Sequence, residues 1–259
     1  MSNGGHWYTP QGEPMHFVPR AKGDGTRPAT LGDAKKLSLF PGVTSVLDRV
    51  LRKPALEKWL IQQAVLAVTT APDVQGEALD AKIVRVLETE GQQKEESKLA
   101  MDRGTEIHAA LENAIAGREV ELSMLSWIKP ALAEVRGLGE LVATEKIVVG
   151  PGFAGKVDLL MRTPTGLLVL DYKTTKKLPD KGAWPEHRLQ LAAYGGALTR
   201  QGEHVTGVGN VYISTVEPGA YKLCAWPNWQ EDYTIFLDVF SVWCWMTGYV
   251  PATQDVTTH

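Results

Sequence analysis

Hydrophobic and polar positions follow two different periods along the chain. Between about Val43 and Leu138, apolar residues recur three or four positions apart, the spacing of amphipathic helices. From Leu141 onward they form short runs rich in Val, Leu and Ile, which are typical of buried strands. The elements predicted in this second half are strands at 141–149, 153–162, 167–173, 207–215 and 220–226 and helices at 186–200 and 228–247. This order predicts an α/β fold, a small mixed sheet flanked by helices.

The second and third strands are predicted to form a β-hairpin, because the turn signal Thr163-Pro164-Thr165-Gly166 separates them. If Thr163 and Gly166 close the turn, Asp158 and Asp171 each lie five residues from it. They then face each other on neighbouring strands with Cβ atoms about 5 Å apart. Lys173 points to the same face because side chains alternate along a strand. The same register places Lys156 opposite Lys173, an unfavourable pair of like charges.

Two carboxylates held this close repel each other, and a divalent cation shared between them removes the conflict. Oxygen ligands with space left for water suit Mg²⁺ or Mn²⁺. The alternative is that both acids mark solvated strand ends, which would also account for the facing lysines. A bulge or a one-residue slip would break the alignment. The spacing alone leaves both interpretations open.

Two helical segments before the sheet have apolar faces that bear on the fold and the site. In the segment that begins at Pro54, the residues Leu56, Trp59, Leu60 and Ala64 share a face and are expected to be buried. In the helix from about Gln93 to Ala116, one apolar face contains His108 together with Met101, Gly104, Ile107, Leu111 and Ile115. A histidine on such a face is ordinarily a hydrogen-bonded core residue, and a metal ligand is the alternative.

Three further polar residues have an ordinary and a functional interpretation. Gln190 and Tyr194 are four residues apart and therefore share one helix face. Their ordinary interpretation is a packed tyrosine and a surface glutamine. Glu145 lies in the first strand and is either exposed or a further acid at the site.

The domain organisation predicted from these patterns is simple. Residues 1–42 are rich in Gly and Pro and are expected to form an extended arm or an irregular cover. Residues 43–250 are expected to form a single domain, with a helical part at 43–139 and a sheet core with flanking helices at 140–250. Residues 251–259 are expected to be a disordered tail.

Composition excludes several classes of protein. The chain of 259 residues carries a net charge of −3 and no apolar run long enough to span a bilayer. Its start shows no secretory signal, and its two cysteines cannot form a four-thiolate zinc or iron–sulfur site. These features are expected of a cytoplasmic protein with no membrane partner. A weakly negative net charge neither indicates nor excludes a protein that binds nucleic acid.

Four short motifs follow one another on the predicted elements: Gly104-Thr105-Glu106-Ile107-His108, Gly155-Lys156-Val157-Asp158, Asp171-Tyr172-Lys173-Thr174-Thr175 and Gln190-Leu191-Ala192-Ala193-Tyr194. Their order and spacing resemble the RecB-like branch of the PD-(D/E)XK nuclease superfamily. The chain is most similar to the stand-alone exonucleases of phages and the mitochondrial genome maintenance exonuclease. Each motif alone is weak, but four in sequence are specific. The resemblance implies a restriction-endonuclease-like fold, with a mixed central sheet flanked by helices and an N-terminal helical segment.

The resemblance also implies a role for each matching position. His108, Asp158 and Asp171 would be metal ligands, and the backbone carbonyl of Tyr172 would complete the set. Lys173 would position and polarise the attacking water, beside one or two Mg²⁺ or Mn²⁺ ions. The third motif carries Asp where many members carry Glu, and both residues bind metals.

Four more residues are implied at the substrate channel: Gln190, Tyr194, Glu145 and Thr174. The expected activity is metal-dependent hydrolysis of DNA, by an exonuclease acting on single strands or free ends. Its setting would be phage recombination, replication or DNA processing in the cytoplasm of a bacterial host, with any partner protein unknown. No iron–sulfur cluster is expected, unlike in some relatives. The alternatives are a structure-specific endonuclease and an inactive DNA-binding module with a nuclease fold.

Overall fold

The computed structural model describes residues 5–51, 54–90 and 95–251, without the side chains of 54–56, 88–90 and 95–102. All but the first residue of the predicted tail therefore lies outside the described residues, as do the side chains of Leu56 and Met101. The elements in chain order are β1 (Trp7–Tyr8), β2 (Phe17–Pro19), β3 (Thr26–Pro28), α1 (Leu31–Leu37), β4 (Phe40–Pro41), α2 (Val43–Val50), α3 (Pro54–Thr70), α4 (Leu79–Glu90), α5 (Glu95–Ile115), α6 (Leu122–Leu138), β5 (Glu140–Val149), β6 (Ala154–Thr163), β7 (Gly166–Thr175), α7 (Pro185–Arg200), β8 (Val205–Ser214), β9 (Tyr221–Trp226) and α8 (Trp229–Thr247).

Strands β5 to β9 form one five-stranded sheet in that spatial order. Strands β7 and β8 are parallel, and the other neighbours are antiparallel. The predicted mixed sheet flanked by helices is thereby confirmed. Because β7 and β8 are parallel, the chain must cross back between them, and α7 makes that connection. This connection places α7 on the sheet, beside the strand that carries Asp171.

Each face of the sheet has its own apolar core. On one face, Leu167 and Val169 of β7 pack with residues of α2, α7 and α8. On the other face, Leu170 and Tyr172 pack with α5 and α6, where Ile107 is fully buried. The alternation of side chains along β7 therefore separates the two cores.

The predicted hairpin register is confirmed between the turn and the middle of the strands. Thr163 pairs with Gly166, and the ladder continues to the pair Leu159 and Leu170. Beyond Leu159 no further pair joins β6 to β7 in the described chain. The two strands separate one residue before Asp158 and Asp171 would pair, which opens a gap at the acids.

The N-terminal segment is more ordered than an extended arm. Strand β1 pairs with β4, and β2 pairs with β3. Trp7 is 4% exposed and donates from Nε1 to the carbonyl of Ala29 at 3.2 Å. Helix α1 begins with a capping box between Thr30 and Asp33. Elements of two or three residues are too short to show a period, which is why the sequence pattern does not reveal them.

Contacts along the chain define two compact units. One contains the chain up to Leu51 and from Glu106 onward, and the other spans Arg52–Thr105. The domain boundaries expected from the sequence stay a prediction. The expected burial of the α3 stripe is wrong for Trp59 and Leu60, which are 39% and 46% exposed. Among the described helices, none combines the length and hydrophobicity needed to cross a bilayer.

Candidate active site

A cavity of about 590 Å³ collects most of the residues predicted to form the site. Its walls include His108, Asp158, Asp171, Tyr172, Lys173, Gln190 and Tyr194. These residues come from α5, β6, β7 and α7, so the four sequence motifs meet in one place.

Asp158 lies where β6 and β7 separate. Its Oδ2 accepts a hydrogen bond from the backbone N–H of Tyr172 at 3.0 Å, so the carboxylate takes the place of a strand partner. The C=O of a strand residue points to the same side as its N–H. The Tyr172 carbonyl therefore faces the gap beside Asp158, as the predicted metal-ligand role requires.

His108 approaches Asp158 from α5. Its Nε2 lies 3.0 Å from Asp158 Oδ2, and its ring packs edge-on against Tyr172 with centroids 5.6 Å apart. The hydrogen bond to Asp158 raises the pKa of His108 although burial opposes the change. The inward orientation predicted from the helix pattern is thus correct, and its partner is an acid of the site.

Asp171 is 1% exposed and is surrounded by donors. Lys173 Nζ lies 3.0 Å from its Oδ1 and 2.8 Å from its Oδ2. Gln190 Nε2 donates to Oδ1 at 3.2 Å, and Asn210 Nδ2 donates to Oδ2 at 3.1 Å. Both oxygens are therefore fixed by two side chains each.

Burial and neighbouring charge perturb the acids differently. Burial, assisted by the charge of Asp158, raises the pKa of Asp171 to about 6 against the opposing effect of Lys173. Burial also acts to raise the pKa of Asp158, but the hydrogen bond with His108 and the N–H of Tyr172 hold it below the ordinary value. For Lys173 burial acts downward, yet the charge of Asp171 leaves its pKa raised. The lysine is therefore protonated at neutral pH.

Gly155 and Tyr194, from different motifs, depend on each other sterically. A Cβ at position 155 would overlap the ring of Tyr194. Gln190 Nε2 also donates to Tyr194 Oη at 3.0 Å, which links the tyrosine to the hydrogen bonds around Asp171. Glycine at position 155 therefore leaves the space in which Tyr194 of α7 reaches the cavity.

The remaining predicted residues stand outside the cavity wall. Glu145 has a positive φ of 55° and forms an ion pair with Lys156. Lys156 pairs along the sheet with Ile147 of β5, and the ladder between β6 and β7 ends at Leu159, so the predicted pairing of Lys156 with Lys173 is not formed. Neither Glu145 nor the half-buried Thr174 is among the described residues that line the cavity.

Sequence reasoning missed Asn210, which lies behind Asp171 and does not line the cavity, and one group of cavity residues. Asn210 contacts Asp171 because β7 and β8 pair in parallel with these residues as partners. Its signal was an amide inside the apolar run 208–213, but the register of β8 was needed to use it. The group of cavity residues comes from the N-terminal segment and comprises His6, Tyr8, Pro14, His16, Gly42, Val43 and Thr44.

The ligand atoms at the site are of the types that bind a hard divalent cation, but the side chains are not arranged around a common metal position in this structure. No three His, Cys, Asp or Glu side chains in the described ranges are grouped as metal ligands. His108 Nε2 is hydrogen bonded to Asp158 Oδ2, and Lys173 Nζ contacts both oxygens of Asp171. Two carboxylates, an imidazole and a backbone carbonyl are nevertheless the ligand types that Mg²⁺ and Mn²⁺ accept. The residues fit such an ion if the histidine turns from hydrogen bonding to ligation.

Comparison with known proteins identifies the family. The model of the PD-(D/E)XK nuclease superfamily matches residues 72–224, which is more than half of the chain. The chain therefore belongs to the PD-(D/E)XK nuclease superfamily. Members of this superfamily generally use divalent metals such as Mg²⁺ to hydrolyse phosphodiester bonds of nucleic acids.

Other comparisons are weaker. One solved structure, described as "Crystal structure of SSO0001", is 19% identical with a TM-score of 0.30. The match covers 48% of this chain and 59% of that chain, less than two thirds of the relative's length. A search of curated proteins found no match.

Proposed function

We propose that the protein is a RecB-like, divalent-metal-dependent deoxyribonuclease, and specifically an exonuclease that acts on single strands or free DNA ends. One observation carries the proposal. Asp158 and Asp171 line the same cavity, and the ammonium of Lys173 contacts Asp171 at 2.8 Å. Two acids and a lysine in one cavity are the groups that metal-dependent phosphodiester hydrolysis needs.

Each residue has a role in this proposal. Asp158, Asp171, His108 and the Tyr172 carbonyl hold the cation, which when bound supplies a Lewis acid and activates water. Lys173 is protonated at neutral pH, and its charge stabilises the oxyanion that develops on the phosphate. The contact with Asp171 fixes its ammonium before substrate arrives, so little reorganisation is needed.

Gln190 and Tyr194 orient the site from α7. Gln190 donates to both Asp171 and Tyr194, so it fixes one carboxylate oxygen and the tyrosine together. Tyr194 is 3% exposed overall while lining the cavity. In the proposed role, the two side chains form the floor of the substrate channel. Glu145 and Thr174 keep their predicted substrate roles only if DNA extends beyond the cavity.

The size of the cavity favours a strand end over a continuous duplex. A volume of about 590 Å³ lies within the range of about 300–1,000 Å³ found for pockets that enclose one small ligand. Such a space accommodates a nucleotide or two of a single strand. The similarity of the four motifs to phage and mitochondrial exonucleases supports the same choice. A role in phage recombination, replication or DNA processing follows from that similarity alone.

The test is a time course of cleavage on end-labelled linear and on covalently closed circular DNA, single- and double-stranded. Each substrate is incubated with Mg²⁺, with Mn²⁺ or with chelator. The expected result is loss of label from linear DNA with either metal, intact circles and no reaction in chelator. Cleavage of circles would instead establish an endonuclease.

An inactive DNA-binding module is the remaining alternative. It would cleave no substrate with either metal, and calorimetric titration with Mn²⁺ would show no binding that depends on Asp158. The exposed Asp24, replaced by Asn, provides a matched control for the loss of one carboxylate. Cleavage that is equally fast with chelator would contradict the metal-dependent mechanism itself.

A further inference from the structure

The N-terminal segment lines the same cavity with groups of a different kind. His6, Tyr8, Pro14 and His16 are on its wall, together with the first residues of α2. The rings of His6 and His16 are 4.9 Å apart, and the rings of Tyr8 and His16 are 5.2 Å apart, both edge to face. The three rings therefore form one cluster, and none of them belongs to the sequence motifs.

The hydrogen bonds of His16 fix its protonation pattern. Its Nδ1 lies 3.1 Å from the backbone N–H of Trp7 and accepts that hydrogen bond. A neutral imidazole that accepts at Nδ1 carries its proton on Nε2. Burial and the neighbouring His6 lower the pKa of His16, so the ring is neutral at neutral pH. His16 thus presents an N–H donor at Nε2, for which no hydrogen-bond partner is found among the described residues.

His6 is fixed by its backbone. Its N–H donates to Ser45 Oγ at 3.0 Å, and its carbonyl accepts from the N–H of Gly42 at 2.6 Å. A Cβ at position 42 would lie 2.9 Å from the Cβ of His6, so the close approach requires glycine there. The segment that carries His6 is thereby attached to the start of α2, and the ring is held beside His16.

These donors differ from the lysines of the cavity in one respect. The ammonium groups of Lys156 and Lys173 are each paired with a carboxylate, Glu145 and Asp171. The imidazoles of His6 and His16 have no acidic partner in the part of the chain that the structure describes. A DNA strand carries a phosphate at every nucleotide, and carboxylates repel those phosphates that are not at a metal. Free N–H donors are the groups that hold such phosphates in place.

On the basis of the proposed nuclease function, we propose that His16, supported by His6, forms a contact site for a phosphate of the bound DNA strand next to the scissile one. In this assignment, His16 Nε2–H donates to a phosphate oxygen, and His6 and Tyr8 hold the ring in position. The site makes the N-terminal segment part of the substrate channel. It positions the strand and takes no part in bond cleavage.

The decisive variants separate the two nitrogens of His16. In His16→Asn the side-chain oxygen takes the Nδ1 position and still accepts from Trp7, but the donor at Nε2 is gone. In His16→Gln the amide reaches the Nε2 position and can donate there. His204→Asn is the matched control, because His204 is exposed and absent from the cavity wall. Thermal melting of each variant shows whether the fold is intact.

The measurement is the affinity for a short fluorescein-labelled single-stranded oligonucleotide, by anisotropy in chelator, where no cleavage occurs. A hydrogen bond to a charged group corresponds to about a tenfold to hundredfold change in affinity, and we expect His16→Asn to lose at least about tenfold. His16→Gln should recover part of this loss, and His204→Asn should bind as the unchanged protein does. In steady-state cleavage, KM should rise for His16→Asn with kcat changed by less than about twofold.

Three outcomes would overturn the assignment. Affinity of His16→Asn within about twofold of the unchanged protein would show that the donor does not contact DNA. Equal losses in His16→Asn and His16→Gln, or a loss that parallels a lower melting temperature, would show a structural role. If the unchanged protein cleaves DNA normally in these cases, the proposed nuclease function stands. If the unchanged protein neither binds nor cleaves any DNA, both proposals fail.

Discussion

The cavity has two walls that hold their side chains in opposite ways. The acidic wall, defined by His108, Asp158, Asp171 and Lys173, carries charges that are buried and paired with one another. The N-terminal wall, defined by His6, Tyr8, Pro14 and His16, carries imidazoles fixed by backbone contacts and by each other. The first wall stands on long strands and helices, whereas in the second Tyr8 belongs to the two-residue strand β1 and His6, Pro14 and His16 lie outside the named strands.

This difference suggests that the acidic wall serves the chemistry of cleavage and the N-terminal wall serves substrate binding. Regular elements hold side chains within narrow limits, which chemistry at a phosphorus atom requires. An irregular segment supplies hydrogen-bond donors at places that the sheet cannot reach, which is sufficient for binding. Substitutions in the acidic wall should therefore change the rate of cleavage, and substitutions in the N-terminal wall should change affinity.

The largest effect is expected at the acid and lysine of β7. Asp171→Asn and Lys173→Ala should each lower the single-turnover rate at saturating DNA by at least about 10³-fold, because each removes a charge needed in the transition state. The rate is measured by rapid quench with Mg²⁺. The protein with Asp24→Asn should keep its rate. A wild-type rate in either β7 variant would contradict the catalytic assignment, and His16→Asn should leave this rate nearly unchanged.

A smaller, metal-dependent effect is expected at His108. Loss of an imidazole that ligates or orients a ligand lowers metal affinity by about 10–100-fold, so His108→Ala should need that much more Mn²⁺ for half-maximal rate. The measurement is a titration of rate against Mn²⁺ concentration. Recovery at saturating Mn²⁺ supports ligation. A deficit that no Mn²⁺ concentration corrects, with a lower melting temperature, would show that His108 is a core residue.

The acidic wall was predictable from sequence and the N-terminal wall was not, for a physical reason. The hairpin that brings Asp158 and Asp171 to one site follows from one turn and a period of two, although the predicted pairing of the two acids is not formed because the ladder ends at Leu159 and Leu170. His16 is held against Trp7 of β1 by a hydrogen bond, and β1 in turn pairs with β4, more than thirty residues away in the chain. No local period records such a pairing.

The same limit explains the residues predicted less well. Asn210 required the parallel register between β7 and β8, which α7 sets and the hairpin does not. For Glu145 the sequence pattern left both interpretations open and the resemblance implied a role at the site; the residue has a positive φ and pairs with Lys156, and its role stays a prediction. Gln190 and Tyr194 both line the cavity, and their spacing on one helix face already fixes their relation, but their substrate role stays a prediction.

The acidic wall should also make metal binding depend on pH. Burial raises the folded-state pKa of Asp171 to about 6, above its ordinary value, so its ionisation costs stability as pH rises through that range. The raised pKa of His108 gives stability that is present below about 6.5 and lost as pH rises through the folded value. Both groups release protons when a cation binds.

The expected result is that Mg²⁺ raises the melting temperature more at about pH 8 than at about pH 5, because fewer protons then compete with the ion. Differential scanning fluorimetry with and without Mg²⁺ measures the change. In Asp171→Asn the increase with pH should be largely lost. An increase of equal size at both pH values would contradict ligation by these two groups.

The smallest expected effects are the losses of stability when the glycine that packs beside each wall is replaced by alanine. Gly155→Ala places a methyl group against the fully packed Tyr194 ring, and overpacking of this kind costs about 1–3 kcal/mol of unfolding free energy. Gly42→Ala meets the Cβ of His6 at 2.9 Å and the His6 carbonyl oxygen at 3.2 Å, which is less overlap than at position 155. We therefore expect the loss at position 42 to be the smaller, and to appear mainly as weaker DNA binding through the displaced imidazole. Urea unfolding of both variants, with Gly155→Ala/Tyr194→Leu as the control that removes the overlap, measures the difference. Equal losses would show that the N-terminal wall is packed as rigidly as the acidic wall, and the proposed division between chemistry and binding would lose its structural basis.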